Sequence, residues 1–405
     1  MFMLVFYLLV QAITGFHDEY CGRSELPAYI PPENGQTVEK VHVFFRHGMR
    51  TDFQKHSCFP NNAQPAYSCS LNTEMGMKSQ NSGSGHLIVK TYSSGCEVGQ
   101  LLDYAQTQMT RLAYFLKHNY MKAQDKIFLR STDKTRTLGS LDLLLSQLAG
   151  DNDSSVTVNQ VRVEEFGEDP LSLNDHRCQK VSFLENAFWA SSAFQRVTVD
   201  SPDYEKCASL WVDEIGTPFD LTQVGDCLVA PQCAHVPLPN NIEPSSELYA
   251  CVKNLFNAIQ ELRYNANNEN IWSEGKEYCQ LATKSIWADL LDVPRSDTRV
   301  SLWATHDDVI ACMLSSLSLW NGEWPRYASF LIVEELSDGH VRVLWEGVPL
   351  IEKPDWKSLL PEYVFDEEKY EATCEVEPGY RHSTFFDLLM RGVGVPALFN
   401  AIAVR

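Results

Sequence analysis

The chain reads as an α/β protein, with a three-layer core in which a mostly parallel central sheet is flanked by helices, plus a mainly helical cap insertion. Three segments predict this. Each is a short apolar run that ends in polar residues and leads into a helical pattern, the unit from which parallel sheets are built. The runs are Val41-His42-Val43-Phe44-Phe45, Lys126-Ile127-Phe128-Leu129-Arg130 and Ser301-Leu302-Trp303-Ala304.

The first run is read as a buried strand with one structural histidine, His42. It delivers Arg46-His47-Gly48-Met49-Arg50 to the strand's carboxyl end, where ligands of open α/β sheets bind. Arginine offers a planar fork of donors that fits a phosphate bidentately. Glycine lets an anion approach the backbone. An imidazole between two arginines can act as a nucleophile. The second run leads through Ser131-Thr132-Asp133-Lys134-Thr135 to Arg136. Leu138, Leu141, Leu145 and Leu148 then recur at helical spacing up to Gly150, with Thr132 or Asp133 as N-cap. Arg136 falls in the first helical turn, where the helix dipole disfavours a cation unless an anion shares the site. The third run ends in Thr305-His306-Asp307, ahead of a helix with Ile310, Met313, Leu314 and Leu317 on one face. Singly, each has an ordinary explanation: scattered loop cations, a surface Arg136 paired to Asp133, a core histidine, an aspartate N-cap. Three such units together are far harder to obtain by coincidence.

These residues resemble the histidine acid phosphatase family, the second branch of the histidine phosphatase superfamily. Its Arg-His-Gly-x-Arg-x-Pro motif is matched by Arg46 to Asp52, its middle motif by Arg130 to Thr137, and its His-Asp pair by His306-Asp307. Gly99-Gln100-Leu101, Gln108, Leu112 and Tyr120 are similar to its first helix, and Pro325, Tyr327, Ala328, Ser329 and Glu334 to the segment after His-Asp. The resemblance implies hydrolysis of phosphomonoesters through a phosphohistidine. His47 would attack phosphorus, Arg46, Arg50, Arg136 and His306 would hold the non-bridging oxygens, and Asp307 would protonate the leaving oxygen. No metal or other cofactor is implied. A carboxylic acid must carry a proton to give it, which predicts an acidic rate optimum. One departure stands out: Asp52 replaces a proline that would fix the loop. It supports an alternative, a weak or inactive relative that binds phosphorylated glycans or protein partners. Cys96 to Leu101 and Trp324 to Ala328 are similar to the phosphoxylose phosphatase branch, which acts on phosphorylated xylose of proteoglycan linkage regions.

Composition sets the surroundings. A net charge of -20, from 33 basic and 53 acidic residues, argues against a nucleic-acid partner. Phosphate must then be drawn in by a local basic pocket. Met1 to Ile13 are almost wholly apolar, and small residues follow. Residues 1–15 are read as a signal peptide, with a signal anchor as the rival. No stable span is expected in the mature chain, which places it as secreted or lumenal, in the lysosome or Golgi among other sites. Twelve cysteines fit disulfides. Cys312 is read as a candidate buried free thiol. Zinc on Cys227, Cys233 and His235 is the rival use, although the spacing matches no familiar pattern. Asn152-Asp153-Ser154 is a glycosylation sequon. The catalytic core is expected from 16–162 and 296–405, with 163–295 inserted as the cap. The substrate class is a small-molecule or glycan phosphomonoester. Oligomeric state is not readable.

Overall fold

The computed structural model describes residues 20–376, apart from 34, 54–57, 72–76, 82–83, 89–95, 123–124, 150–156, 166–167, 174–176, 266–273 and 294–297. The expected signal segment, Gly150 and the Asn152 sequon lie outside the described residues. The strands are Val38–Arg46 (β1), Met77–Asn81 (β2), Ser84–Ile88 (β3), Lys126–Ser131 (β4), Thr157–Arg162 (β5), Thr298–Thr305 (β6), Phe330–Leu336 (β7), Val341–Trp345 (β8) and Val348–Lys353 (β9). The helices are Tyr104–Asn119 (α1), Thr135–Ala149 (α2), Gln179–Ala190 (α3), Ser192–Val197 (α4), Pro202–Ile215 (α5), Leu221–Cys233 (α6), Ser246–Tyr264 (α7), Gly275–Leu291 (α8), Asp307–Ser316 (α9), Trp356–Leu359 (α10) and Glu367–Cys374 (α11).

The strands form one sheet in the order β3-β2-β5-β4-β6-β1-β7-β8-β9. The pairings β2–β5, β5–β4, β4–β6 and β6–β1 are parallel. The flanking pairings are antiparallel. The predicted α/β class therefore holds, and its parallel part is the centre. β1 is the strand at which the parallel half meets the antiparallel half. Its last residue, Arg46, lies opposite Thr305 of β6, and Ser131 of β4 lies opposite Ala304. Three neighbouring strands thus end level, and their following loops share one edge of the sheet.

Strand side chains alternate between faces, and that alternation builds the three layers. Val43, Phe45, Leu302 and Ala304 bury against Met109, Leu112 and Leu116 of α1 and Leu138, Leu141, Leu144 and Leu148 of α2. Phe44 and Trp303 face the other way, onto Tyr278 and Trp287 of α8 and Ile310 and Met313 of α9. His42 accepts its expected structural place: its Nδ1 meets Ser301 Oγ at 2.7 Å. β7 and β8 form a hairpin around Ser337-Asp338-Gly339.

Some local expectations are corrected. The second motif helix begins at Thr135, so Thr132 and Asp133 precede it and neither is its cap. Leu144 is fully buried in that helix, whereas Leu145 only packs against the cluster's edge. Cys312 is not a free thiol, because it joins α9 to α8 through Cys279. Cys227 bonds Cys58 and Cys233 bonds Cys21, which removes both thiolates from the zinc alternative. The remaining bonds are Cys69–Cys96, Cys178–Cys374 and Cys207–Cys251. All twelve cysteines are paired, as fits an oxidising compartment. Among the described residues no helix is long and apolar enough to cross a membrane.

Candidate active site

The loop after β1 is held by its backbone. His47 N–H donates to Thr305 O at 3.1 Å, and His47 O accepts from Ala328 N at 3.2 Å. Gly48 N–H donates to Ser140 Oγ of α2 at 2.9 Å, and Met49 N–H to Gln108 Oε1 of α1 at 2.7 Å. A β-carbon at Gly48 would lie 2.6 Å from Ala105 Cβ. Glycine is required there by the close approach of α1. Ala328 sits at φ 61°, a strained conformation for a residue with a side chain, where it closes the turn over His47.

His47 is 2 % exposed. Its Nδ1 lies 2.8 Å from Gly48 O. A carbonyl can only accept, so Nδ1 carries the proton and Nε2 keeps its lone pair. Burial, then the charges of Arg136 and Arg46, hold the imidazole well below its ordinary pKa. It therefore stays neutral to a lower pH than an ordinary histidine. The His306 ring centroid lies 5.6 Å away. His306 is also held neutral, by burial and then by Arg136. Its Nδ1 faces Arg136 Nη2 at 3.4 Å and its Nε2 faces Thr132 Oγ1 at 3.0 Å. A guanidinium only donates, which puts the His306 proton on Nε2, toward the threonine.

Arg46, Arg50 and Arg136 surround these imidazoles, and each has a buried Nε with no partner among the described residues. Buried unpaired donors are costly, and their convergence makes this the candidate oxyanion site. Arg46 spends Nη1 on Pro325 O at 2.8 Å and Nη2 on Asp307 Oδ2 at 2.7 Å. Arg136 has no carboxylate at ion-pair distance among the described residues. Burial and the nearby Arg50 lower its pKa to about 10. Asp307 opens α9 and accepts the Asp308 N–H on Oδ1 at 3.1 Å and the Trp324 Nε1–H on Oδ2 at 3.3 Å. All six residues expected from the sequence therefore stand together: Arg46, His47, Arg50, Arg136, His306 and Asp307.

Other groups of the site were not foreseen. Asp226, on α6, meets Arg50 Nη1 at 3.0 Å and also accepts the Phe53 N–H. Burial alone would lower the Arg50 pKa, but Asp226 raises it and keeps the guanidinium charged. Nothing in the local sequence around Asp226 signals this, because the contact spans 176 positions. Asp52 does not face solvent, and among the described residues no cation lies at ion-pair distance from it. It is buried against Tyr67, 3.2 Å away, and Cys58, and burial followed by Asp226 raises its pKa. Phe53 is 52 % exposed, with its ring 4.9 Å from the Arg136 guanidinium and 5.5 Å from that of Arg50. Tyr327 is buried under Arg46, 4.0 Å from its ring.

Asp226→Asn keeps an acceptor beside Arg50 and removes a charge near any bound anion. The variant is expected to bind inorganic phosphate roughly tenfold more tightly, the size of a modest electrostatic interaction of about 1.4 kcal/mol. Titration calorimetry checks this. Unchanged or weaker binding would mean that Asp226 serves only to aim the guanidinium.

A comparison with curated protein sequences finds no match. Solved structures do match in fold. The apo Hafnia alvei phytase superposes with a TM-score of 0.54 at 11 % identity, over 86 % of this chain and 100 % of that one. The phytase from Citrobacter braakii gives 0.52 at 12 %, over 85 % and 100 %. Such identities establish a shared fold and no shared substrate. The sequence itself matches the family model described as histidine phosphatase superfamily (branch 2) across residues 37–345, which contain every side chain of the cluster above. This chain belongs to that superfamily.

Proposed function

We propose that the chain is a secretory-pathway acid phosphatase that hydrolyses phosphomonoesters through a phosphohistidine on His47. The observation that carries this is the unprotonated Nε2 of His47 amid three guanidiniums with unpaired Nε donors. Phosphoryl transfer needs mainly positioning and charge stabilisation. In the first step the Nε2 lone pair forms a bond to phosphorus and the ester P–O bond breaks. The Asp307 carboxyl gives its proton to the leaving oxygen. In the second step water attacks phosphorus, Asp307 takes a proton from it, and the N–P bond breaks to release phosphate. Arg46, Arg50 and Arg136 hold the non-bridging oxygens in both steps, and His306 joins them when its Nε2–H turns from Thr132 to the phosphoryl group.

Residues 163–295 are proposed to act as a substrate-selecting cap, supported by the reach of Asp226 from α6 to Arg50. Phosphorylated xylose is proposed as the first natural substrate class to assay, on the resemblance of Cys96 to Leu101 and Trp324 to Ala328. Six disulfides support secretion. Hydrolysis of p-nitrophenyl phosphate is to be followed from about pH 4 to 8 with a chelator present. Labelled phosphate is to be trapped in a base quench, because phosphohistidine is labile in acid. Acid-optimal, chelator-insensitive turnover with label on His47 is expected. A maximum above neutrality, or dependence on a metal, would refute the acid phosphatase mechanism. Tight phosphate binding without turnover would instead support the binding-only alternative raised by Asp52.

A further inference from the structure

We propose that Trp324 is a positioning residue for the proton-donating carboxyl of Asp307. The inference rests on the phosphatase reading above. Trp324 lies in the loop after α9 and is half-buried. Its indole is fixed by aromatic neighbours on three sides. Phe256 packs edge-on at 5.5 Å, Tyr264 lies at 5.8 Å and Trp320 at 6.5 Å between centroids. Phe256 and Tyr264 both belong to α7, so the helical insertion sets the position of this ring. The only polar atom of the indole, Nε1, points at Asp307 Oδ2, 3.3 Å away.

Arg46 shares that oxygen, at 2.7 Å. The two partners differ in what else they must do. Arg46 also serves the phosphate, since its Nε is unpaired. As its fork turns to an incoming phosphoryl group, its hold on Asp307 loosens. Among the described residues the Trp324 indole makes no other hydrogen bond. An indole N–H only donates, so it keeps Oδ2 an acceptor whether the carboxyl is protonated or ionised. The transferable proton is thereby steered to Oδ1, which among the described residues accepts the Asp308 amide. The proton leaves Oδ1 for the ester oxygen as the P–O bond breaks, and returns there from water. The ring itself touches no reacting atom.

The test uses leaving groups of different need. A nitrophenolate departs with little protonation, whereas an alkoxide must be protonated as it leaves. Trp324→Phe keeps the ring packing and removes the N–H. In the full chain it is expected to lower kcat/KM for glycerol 2-phosphate about tenfold more than for p-nitrophenyl phosphate, within the range of general-acid catalysis. KM should be unchanged, with the loss confined to kcat. In an Asp307→Asn background the same substitution should have no further effect, because the amide has no proton to give to the leaving oxygen. Equal losses on both esters, or an undiminished loss in the Asp307→Asn background, would overturn the proposal. If Trp324→Phe fails to fold, Phe256→Leu decides, since it loosens the wall behind the indole and leaves the N–H in place. A bias against the alkyl ester supports the role, and no bias overturns it. Wild-type protein that hydrolyses neither ester refutes the phosphatase reading itself. Wild-type activity without a leaving-group bias in the variants refutes only the role of Trp324.

Discussion

His47→Ala is expected to lower kcat/KM by on the order of 10⁴-fold or more, as when the nucleophile of a covalent mechanism is removed. The trapped phosphoryl label should vanish with it. The same variant should still bind inorganic phosphate, because the three guanidiniums remain. Binding and turnover would thus separate. Retained label in His47→Ala would mean that another side chain, with His306 the nearest candidate at 5.6 Å between ring centroids, is the true nucleophile. The fold should survive, because the backbone of the loop rather than the ring makes its bonds to Thr305, Ser140 and Gln108.

Arg136→Gln should be the second largest loss. Removing one preorganised donor to the transition-state charge costs about 10²–10³-fold in kcat. Its pH signature matters more than its size. Arg136 is the largest charge holding down the pKa of both His47 and His306, after burial. The variant should therefore protonate both rings at higher pH, and the acid limb of the rate profile should move upward. Stability follows from the same shifts. In the unfolded chain a histidine titrates near its ordinary value of about 6.5, whereas both rings stay neutral in the folded protein until a lower pH. Between those values the unfolded chain binds more protons, so wild-type stability falls as pH drops through about 6.5 and below. Arg136→Gln should flatten that fall. Saturating phosphate should raise the melting temperature, by the equivalent of about 2.7 kcal/mol at a hundredfold excess over Kd. Thermal unfolding scans with and without phosphate check both. An acid limb that stays in place would mean that burial alone keeps His47 neutral.

The three strands that carry the site were legible because each is a short apolar run bounded by polar residues, and their order fixed a parallel centre. The grouping of the six candidate site residues was legible because each follows such a strand directly or after one helical turn. Asp226 was not. Its contact depends on how α6 returns to the loop after β1, and a lone aspartate in a helix carries no local mark of that. Disulfide pairing was hidden for the same reason: Cys279 and Cys312 are 33 positions apart, but Cys21 and Cys233 are separated by 212. Leu145 was chosen over Leu144 because heptad-like spacing cannot resolve which of two adjacent leucines turns fully inward. The environment of Asp52, buried against Tyr67, is not specified by its position in the motif.

The placement of β1 also bears on how the chain is made. His42 and its partner Ser301 are 259 positions apart, and both neighbours of β1 are synthesised after the whole helical insertion. At roughly 5–20 residues per second, β1 waits tens of seconds on the ribosome-bound chain with both edges unpaired. Its apolar faces are a target for misassembly during that interval. Cys21 and Cys233 both emerge before β6, so oxidation can tether the two ends of the nascent segment while the central strand is still without a bed. A nascent chain arrested before Thr298 would hold His47 and no pocket. Ribosome-bound intermediates of increasing length should accordingly become protease-resistant only after β7 has cleared the exit tunnel.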